Sequence, residues 1–400
     1  MKTKKIFTVI GDNGGCTYHR VVLPHSLLME MDVKDISIDW KVPDDVVSQE
    51  DLVNFWKNYD IILFSRYMNP DIIDKLKAAA PNTKLVMDVD DYWELDTHHI
   101  MRDAYRDVDF PTRVKKLLQK VDFVITTTDV LAAKIRPFNK NVVILPNALI
   151  PSGQFARKES EPTKRIRLGI VGGISHYTDI ELMEGVVNML PKEVLDKVQF
   201  VLCGFDKAFI RKPDGEKVLM DWKDNKWNKL ERILTDNYKN ISPEHYQALM
   251  RYEYGMTYDF DEPYKRVWAR NIGTYASLYD EIDVLLAPLN DNEFNRCKSE
   301  LKLVEASVKG KPAIVSDVFP YKICGINAIE KGGDINPEGN CLMVDGRKGA
   351  RGWVKAITRI VNDNELRNMI KNNLMKLTEE GGTYNLVDVT NKRIEFYRSL

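Results

Sequence analysis

The chain has 400 residues, 44% of them hydrophobic, which is enough for two α/β domains with separate cores. Its 58 basic and 59 acidic residues leave a formal charge of -1, so nothing global argues for nucleic-acid binding and any basic site must be local. Five cysteines, at 16, 203, 297, 324 and 341, lack metal-ligand spacing, and no signal-peptide core or run of roughly 18 apolar residues is present, so the expectation is a cytoplasmic protein without a transmembrane segment.

Residues 1–150 alternate short apolar runs, KIFTVIG, ISIDW, DIILFS, KLVMDV, DFVITTT and NVVILPN, with helical patterns at 49–58, 70–80 and 111–120. That alternation predicts a largely parallel sheet with helices on both faces. A polar, proline-bearing stretch at 151–164 reads as a linker, and a second α/β domain follows at 165–383. Its strands are IRLGIVGG, VQFVLCG, DVLLAPL and KPAIVSD, and Thr178 with Glu181 has capping-box spacing at the start of a helix. A charged, aromatic insertion at about 205–264 carries Trp222, Trp227, Tyr238, Tyr246, Tyr252, Tyr254 and Tyr258, with helices expected at 225–238 and 243–251. Those aromatics either pack the insertion on its domain or bind an acceptor. The end, 384–400, reads as a helix that can cross back to the first domain.

Candidate chemistry sits in loops that follow strands. After the first strand, Gly14 and Gly15 permit close backbone approach, and His19 and Arg20 are candidates for binding a sugar or phosphate, or simply start a helix. Asp88, Asp90 and Asp91 in DVDDYWEL can contact sugar hydroxyls, bind a divalent cation or cap the next helix, with no metal as the reading adopted. In the second domain Gly172, Gly173, Ser175 and His176 form a glycine turn that offers N–H groups to a phosphate or serves only the turn. Arg266 and Arg270 stand at helical spacing and are candidates for a second phosphate clamp or a solvated face. In NRCKSELKLVEASVKGKPAIVSD, Lys298, Lys302 and Glu305 are spaced to share one helix face while Leu301, Val304 and Val308 line another, with Ser299 as N-cap and Gly310 and Pro312 as the stop.

The pairing of GIVGGISHYTDIELM with DVLLAPLNDNEFNRCKSELKLVEASVKGKPAIVSD resembles the GT-B glycosyltransferases of the broad family 4 group. It is similar in particular to bacterial and bacteriophage members with a lysine-serine-x-x-lysine donor motif. The likeness is most specific over 166–183 and 281–320. It implies two Rossmann-like doubly wound domains facing a cleft, and transfer of a sugar from a UDP- or GDP-linked donor, with retention and without a metal or other cofactor. Lys298, Ser299 and Lys302 are implied to hold the diphosphate and Glu305 the ribose, while Gly172 and Gly173 match the turn near the phosphates. Cys297 is a departure, standing where the family carries a sugar-contacting glutamate. Asp90 and Asp91 match a DD variant of the family's His-Asp pair, and Asn147 matches the asparagine that ends the first domain.

Lys298, Lys302, Asp90 and Arg266 are the residues expected to carry catalysis. The acceptor reads as a saccharide, lipid-linked sugar or protein. Hydroxymethylated DNA pyrimidines are an alternative, for which Arg113, Lys115, Lys116, Lys120, Arg157, Lys158, Lys164, Arg165 and Arg167 offer phosphate contacts. Rival readings are a nucleotide-sugar epimerase, a non-catalytic nucleotide-sugar binding protein and a metal-dependent single-Rossmann transferase.

Overall fold

The computed structural model describes residues 3–11, 14–66, 68–158, 163–212, 215–251 and 262–400. They form two compact units, the first from 1–149, 292–301 and 381–400 and the second from 150–291 and 302–380.

The first unit is built on six parallel strands: β1 (Lys4–Thr8), β2 (Ile36–Asp39), β3 (Ile61–Ser65), β4 (Lys84–Val89), β5 (Phe123–Thr126) and β6 (Val142–Ile144). Their order, β2-β1-β3-β4-β5-β6, reverses direction between β1 and β3, the switch point of a doubly wound sheet. The central strands are continuous apolar runs because helices cover both faces. The helices Gln49–Trp56, Pro70–Ala79 and Phe110–Lys120 bury Trp56, Leu76 and Leu117 against Phe7, Ile62, Phe64 and Met87. Ser48 and Asp51 close a reciprocal capping box on the first of these.

Two later segments belong to this unit. Phe294 and Cys297, in the stretch 292–301 that linear reading assigned to the second domain, are buried in the same core. The helix Leu386–Ser399 is fixed by Tyr397, whose hydroxyl lies 2.7 Å from His25 Nε2, and by Arg398, which forks onto Asp35 with both contacts at 2.8 Å.

The second unit has strands β7 (Ile166–Val171), β8 (Val198–Phe205), the hairpin β9 (Phe209–Arg211) and β10 (Lys217–Leu219), then β11 (Tyr264–Trp268), β12 (Val284–Ala287), β13 (Ala313–Ser316) and β14 (Leu342–Val344). Six of them form a parallel sheet in the order β11-β8-β7-β12-β13-β14, with its switch point between β7 and β12.

Three local expectations are corrected here. The helix expected from a Thr178 and Glu181 capping box is broken into Tyr177–Ile180, a 3-10 turn at Glu181–Met183, and Val186–Met189. Its first cap is His176, whose side chain makes no capping bond to the helix backbone, and Gly185 at φ 82° interrupts the run. Lys298 precedes the helix Leu301–Lys309, so Lys298, Lys302 and Glu305 do not share a helix face, and Glu305 is buried rather than presented. Ser299 is not that helix's cap. Its hydroxyl accepts from Asn147 Nδ2 at 2.9 Å.

The segment from Phe205 to Tyr264 is the crossover from β8 to the edge strand β11. Helices occur at Lys226–Leu234 and Pro243–Met250. Trp222 and Trp227 are buried in the unit's core, and Tyr238 lies 5.6 Å from Trp222 and 5.1 Å from Tyr246. These four aromatics therefore serve packing. Tyr252, Tyr254 and Tyr258 lie outside the described residues.

Candidate functional site

The second unit gathers a small hollow, of about 20 Å³, at its switch point. Gly172 and His176 come from the loop after β7, Ala287 and Pro288 from the end of β12, Tyr321 from beyond β13, and Lys302 from the first turn of the helix Leu301–Lys309. Sequence reasoning had singled out Gly172, His176 and Lys302 separately, and the fold brings them together.

The turn depends on a residue the sequence reading passed over. Gly204, inside β8 at φ 101°, lies so close to the turn that an added Cβ would stand 2.2 Å from the Gly172 carbonyl oxygen. The Gly172 amide donates to Cys203 O at 3.2 Å, so the turn is strapped to the end of β8. A lone glycine in an apolar strand run is the signal that marks such a close approach. His176 Nδ1 lies 3.0 Å from Asp179 Oδ2, and because a carboxylate only accepts, Nδ1 carries the proton in that contact. Asp179 is in turn held by the Asn290 amide at 2.9 Å. Gly173 and the exposed Ser175 belong to the same turn.

Lys302 Nζ is 3.0 Å from Glu305 Oε2. Glu305 also accepts from the hydroxyls of Tyr275 at 2.7 Å and Tyr279 at 2.6 Å. Burial, with the Glu305 charge beside it, raises the Tyr279 hydroxyl well above its usual range and keeps it a donor. Glu305 is thus a buried carboxylate that orients the lysine at the cavity.

Two arginines are withdrawn from ligand binding. Arg266 lies on strand β11, not on a helix, and its side chain is fully sealed in a two-pronged ion pair with Glu231, both contacts at 2.7 Å. Its guanidinium also donates to Leu249 O and lies 4.1 Å from the centre of the Phe205 ring. Arg20 is buried, forks onto Asp88 at 2.9 and 3.1 Å, and donates to Leu145 O and Asn147 Oδ1. Both are internal staples. His19 beside it is buried against Tyr18. Arg270 is engaged by Glu281 at 2.8 Å and by Ser277, and does not line the cavity.

In the first unit Lys298 lies over the Phe294 ring at 5.1 Å, and Cys297 is fully buried, with desolvation pushing its thiol to about 11. Cys297 is a core residue. At the carboxyl ends of β1, β3 and β4, Cys16, Asp90 and Asp91 bring three ligand atoms within 4.8 Å of one another. The Arg66 guanidinium stands among them, 3.6 Å from Asp90 and 3.2 Å from Asp91, and supplies the cation. Burial raises Asp90 against the pull of Arg66, and the Asp90 charge, before burial, holds the Cys16 thiol well above its ordinary value. Gly14 precedes the short helix Gly15–Thr17, and a Cβ at Gly15 would meet nothing within 4 Å, so packing does not demand that glycine.

No protein-family model and no curated protein matches the sequence. Solved structures match along its whole length. HepE of Anabaena, in complex with UDP-glucose, is 12% identical with a TM-score of 0.62 over 99% of this chain and 100% of that one. A glycosyltransferase from Rickettsia africae is 11% identical with a TM-score of 0.59 over 100% and 99%. The catalytic domain of starch synthase IV from Arabidopsis thaliana, bound to ADP and acarbose, is 9% identical with a TM-score of 0.62 over 100% and 99%.

The fold is GT-B. Within it, the described cavity occupies the carboxyl ends of β7 and β12, where open α/β sheets bind ligands. Among the described residues no helix is long and apolar enough to cross a membrane.

Proposed function

We propose that the protein is a glycosyltransferase whose nucleoside-diphosphate sugar, UDP- or GDP-linked, binds at the switch point of the second unit. The observation that carries this reading is the convergence of the glycine turn, His176 and Lys302 in one cavity. Support comes from a fold shared end to end with proteins crystallised with UDP-glucose or ADP.

Breaking the sugar C1 to phosphate bond leaves an oxocarbenium-like centre and a diphosphate whose charge grows in the transition state. Lys302 supplies a cation there, and the first amides of the helix Leu301–Lys309 add their partial positive charge. His176, its ring fixed by the contact of Nδ1 with Asp179, adds a second polar group beside it. These groups replace a metal, so the reaction is assigned as metal-independent. Transfer is assigned as retaining, with the leaving phosphate taking the acceptor's proton and no protein base required. Glu305, which the resemblance implied as a ribose contact, is assigned instead to orienting Lys302, because its buried carboxylate already accepts from Tyr275 and Tyr279. Asp90 and Asp91 are assigned to sugar hydroxyls on the first unit, with Arg66 balancing their charge.

The test is mass spectrometry and nucleoside-diphosphate release with a panel of UDP- and GDP-sugars, repeated in EDTA. One donor is expected to bind and turn over at a rate unchanged by EDTA, with the product anomer matching the donor. Failure of every donor to bind or react would overturn the assignment, and loss of rate in EDTA would overturn its metal-independent part.

A further inference from the structure

The second unit has another cleft, of about 470 Å³, a volume within the range of small-molecule sites. It is lined by Arg157, Lys158, Lys309, Lys311, Arg367 and Lys371. Asp283 also lines it, bonded to Arg167 at 2.7 Å from one guanidinium nitrogen and 2.8 Å from the amide, and its charge reaches Lys311 and Arg367 as well, so one carboxylate is shared among three of the cations there.

Its position separates it from the donor cavity. Asp283 immediately precedes β12 and Lys309 to Pro312 immediately precede β13, so the cleft lies at the amino ends of strands whose carboxyl ends face the donor cavity. Four-residue strands at roughly 3.3 Å per residue put at least ~10 Å of sheet between the two.

The charge balance is uneven. Lys309 is paired with Asp280 at 2.7 Å, and Arg157 lies 3.4 Å from Glu379. Arg367 donates to the neutral acceptors Ile360 O and Asn364 Oδ1 and feels the charges of Asp283 and Asp363. Among the described residues Lys158 and Lys371 have no carboxylate partner. Lys311 is only 5% exposed, and desolvation pulls its ammonium down to about 8. Gly310, at φ 65°, has the Lys371 stem within 3.5 Å and the Arg157 stem within 3.9 Å of where a Cβ would stand, so both stems pack over that turn at the cleft. Lys309 and Lys311 are buried at the cleft while Arg157, Lys158 and Lys371 are exposed around it, so the hollow offers both an enclosed charge and reachable donors to an anion.

We propose that this cleft binds a small, multiply charged phosphate anion, carrying a diphosphate or two phosphoryl groups, independently of the donor cavity. The cations there present the spread of donors that such an anion needs. This inference does not rest on the glycosyltransferase reading.

The test is calorimetric titration of inorganic pyrophosphate at low ionic strength, where screening is weak. The Lys302→Ala protein is used so that the donor cavity contributes little. One pyrophosphate per chain is expected, with affinity falling at least ~10-fold when Lys158→Ala and Lys371→Ala are added, through loss of two charge-assisted contacts. An unchanged urea midpoint shows that the Lys158→Ala/Lys371→Ala protein is folded, and any UDP binding of the wild-type protein should be retained in it. Unchanged pyrophosphate affinity in the triple variant would overturn the proposal, as would an equal loss of UDP and pyrophosphate, or binding of a short DNA duplex in place of pyrophosphate. If pyrophosphate binds as expected but no nucleoside diphosphate binds at all, the donor assignment falls and the cleft stands.

Discussion

Arg266 and Lys302 were both read from the sequence as catalytic cations, and burial separates them. Arg266 is fully enclosed with Glu231, and the Tyr264 hydroxyl adds a bond to the same carboxylate at 2.8 Å. Its partner is 35 residues away in the chain, so no spacing rule could reveal it. Removing one member strands a charge in the core. Glu231→Gln and Arg266→Met are each expected to cost about 3–5 kcal/mol, whereas Glu231→Leu/Arg266→Met together should cost less than either; urea unfolding of the three variants checks this. Lys302 behaves differently because its side chain keeps 22% exposure at the cavity. Lys302→Ala should lower turnover at least ~100-fold, the usual effect of losing one well-placed transition-state donor, while moving the urea midpoint little. Near-normal turnover in the folded variant would remove it from the chemistry. Lys311 gives a pH signature of its own. Between its folded value of about 8 and its ordinary 10.5, the unfolded chain holds a proton that the native state has shed, so stability rises with pH across that window. The gain is at most ~3 kcal/mol, and Lys311→Met should abolish the rise in pH-dependent urea curves.

At the scale of elements, the first sheet was legible because both its faces are covered, which turns each central strand into an unbroken apolar run such as Ile61–Ser65. The edge strand β11 was not. It carries Lys265 and Arg266, whose partners Glu281 and Glu231 come from elsewhere in the fold, so a charged strand imitated a helix face. The helix after the glycine turn failed for a local reason, since Gly185 adopts a left-handed conformation that outweighs the Thr178 and Glu181 spacing. The glycine turn itself was legible in Gly172 and Gly173, but its support in β8 was marked only by the single Gly204. Gly204→Ala tests that support. An added methyl would stand 2.2 Å from the Gly172 carbonyl oxygen and would also be strained by a φ of 101°. Backbone must move, so nucleotide binding measured by calorimetry should weaken at least ~10-fold, a loss of about 1.4 kcal/mol. Gly15→Ala, which meets open space, should bind as wild type. Equal affinities in the two variants would show that the turn does not need β8.

For the molecule as a whole, the chain does not finish one unit before starting the other. The first unit takes back 292–301 and 381–400. The C-terminal segment was readable as a helix able to cross back, but nothing in composition marks 292–301, whose contribution is the burial of Phe294 and Cys297. Magnitudes decide how much the return matters. The helix Leu386–Ser399 buries Leu386, Val389, Ile394, Phe396 and Tyr397. At about 1.5–3 kcal/mol for each large side chain the gross contribution is of order 10 kcal/mol. That is comparable to the roughly 5–15 kcal/mol that holds a whole domain folded. A chain ending at Glu380 should therefore lose the first unit while keeping the second. Limited proteolysis is expected to digest residues 1–149 rapidly in the truncated protein and to leave a resistant fragment from the second unit. Adding a peptide of residues 381–400 should slow that digestion, because Tyr397 would again meet His25, and Arg398 would again meet Asp35. A digestion pattern identical to that of the intact chain would mean that 1–149 folds without its returning helix, and that the crossing is a tether rather than part of the core.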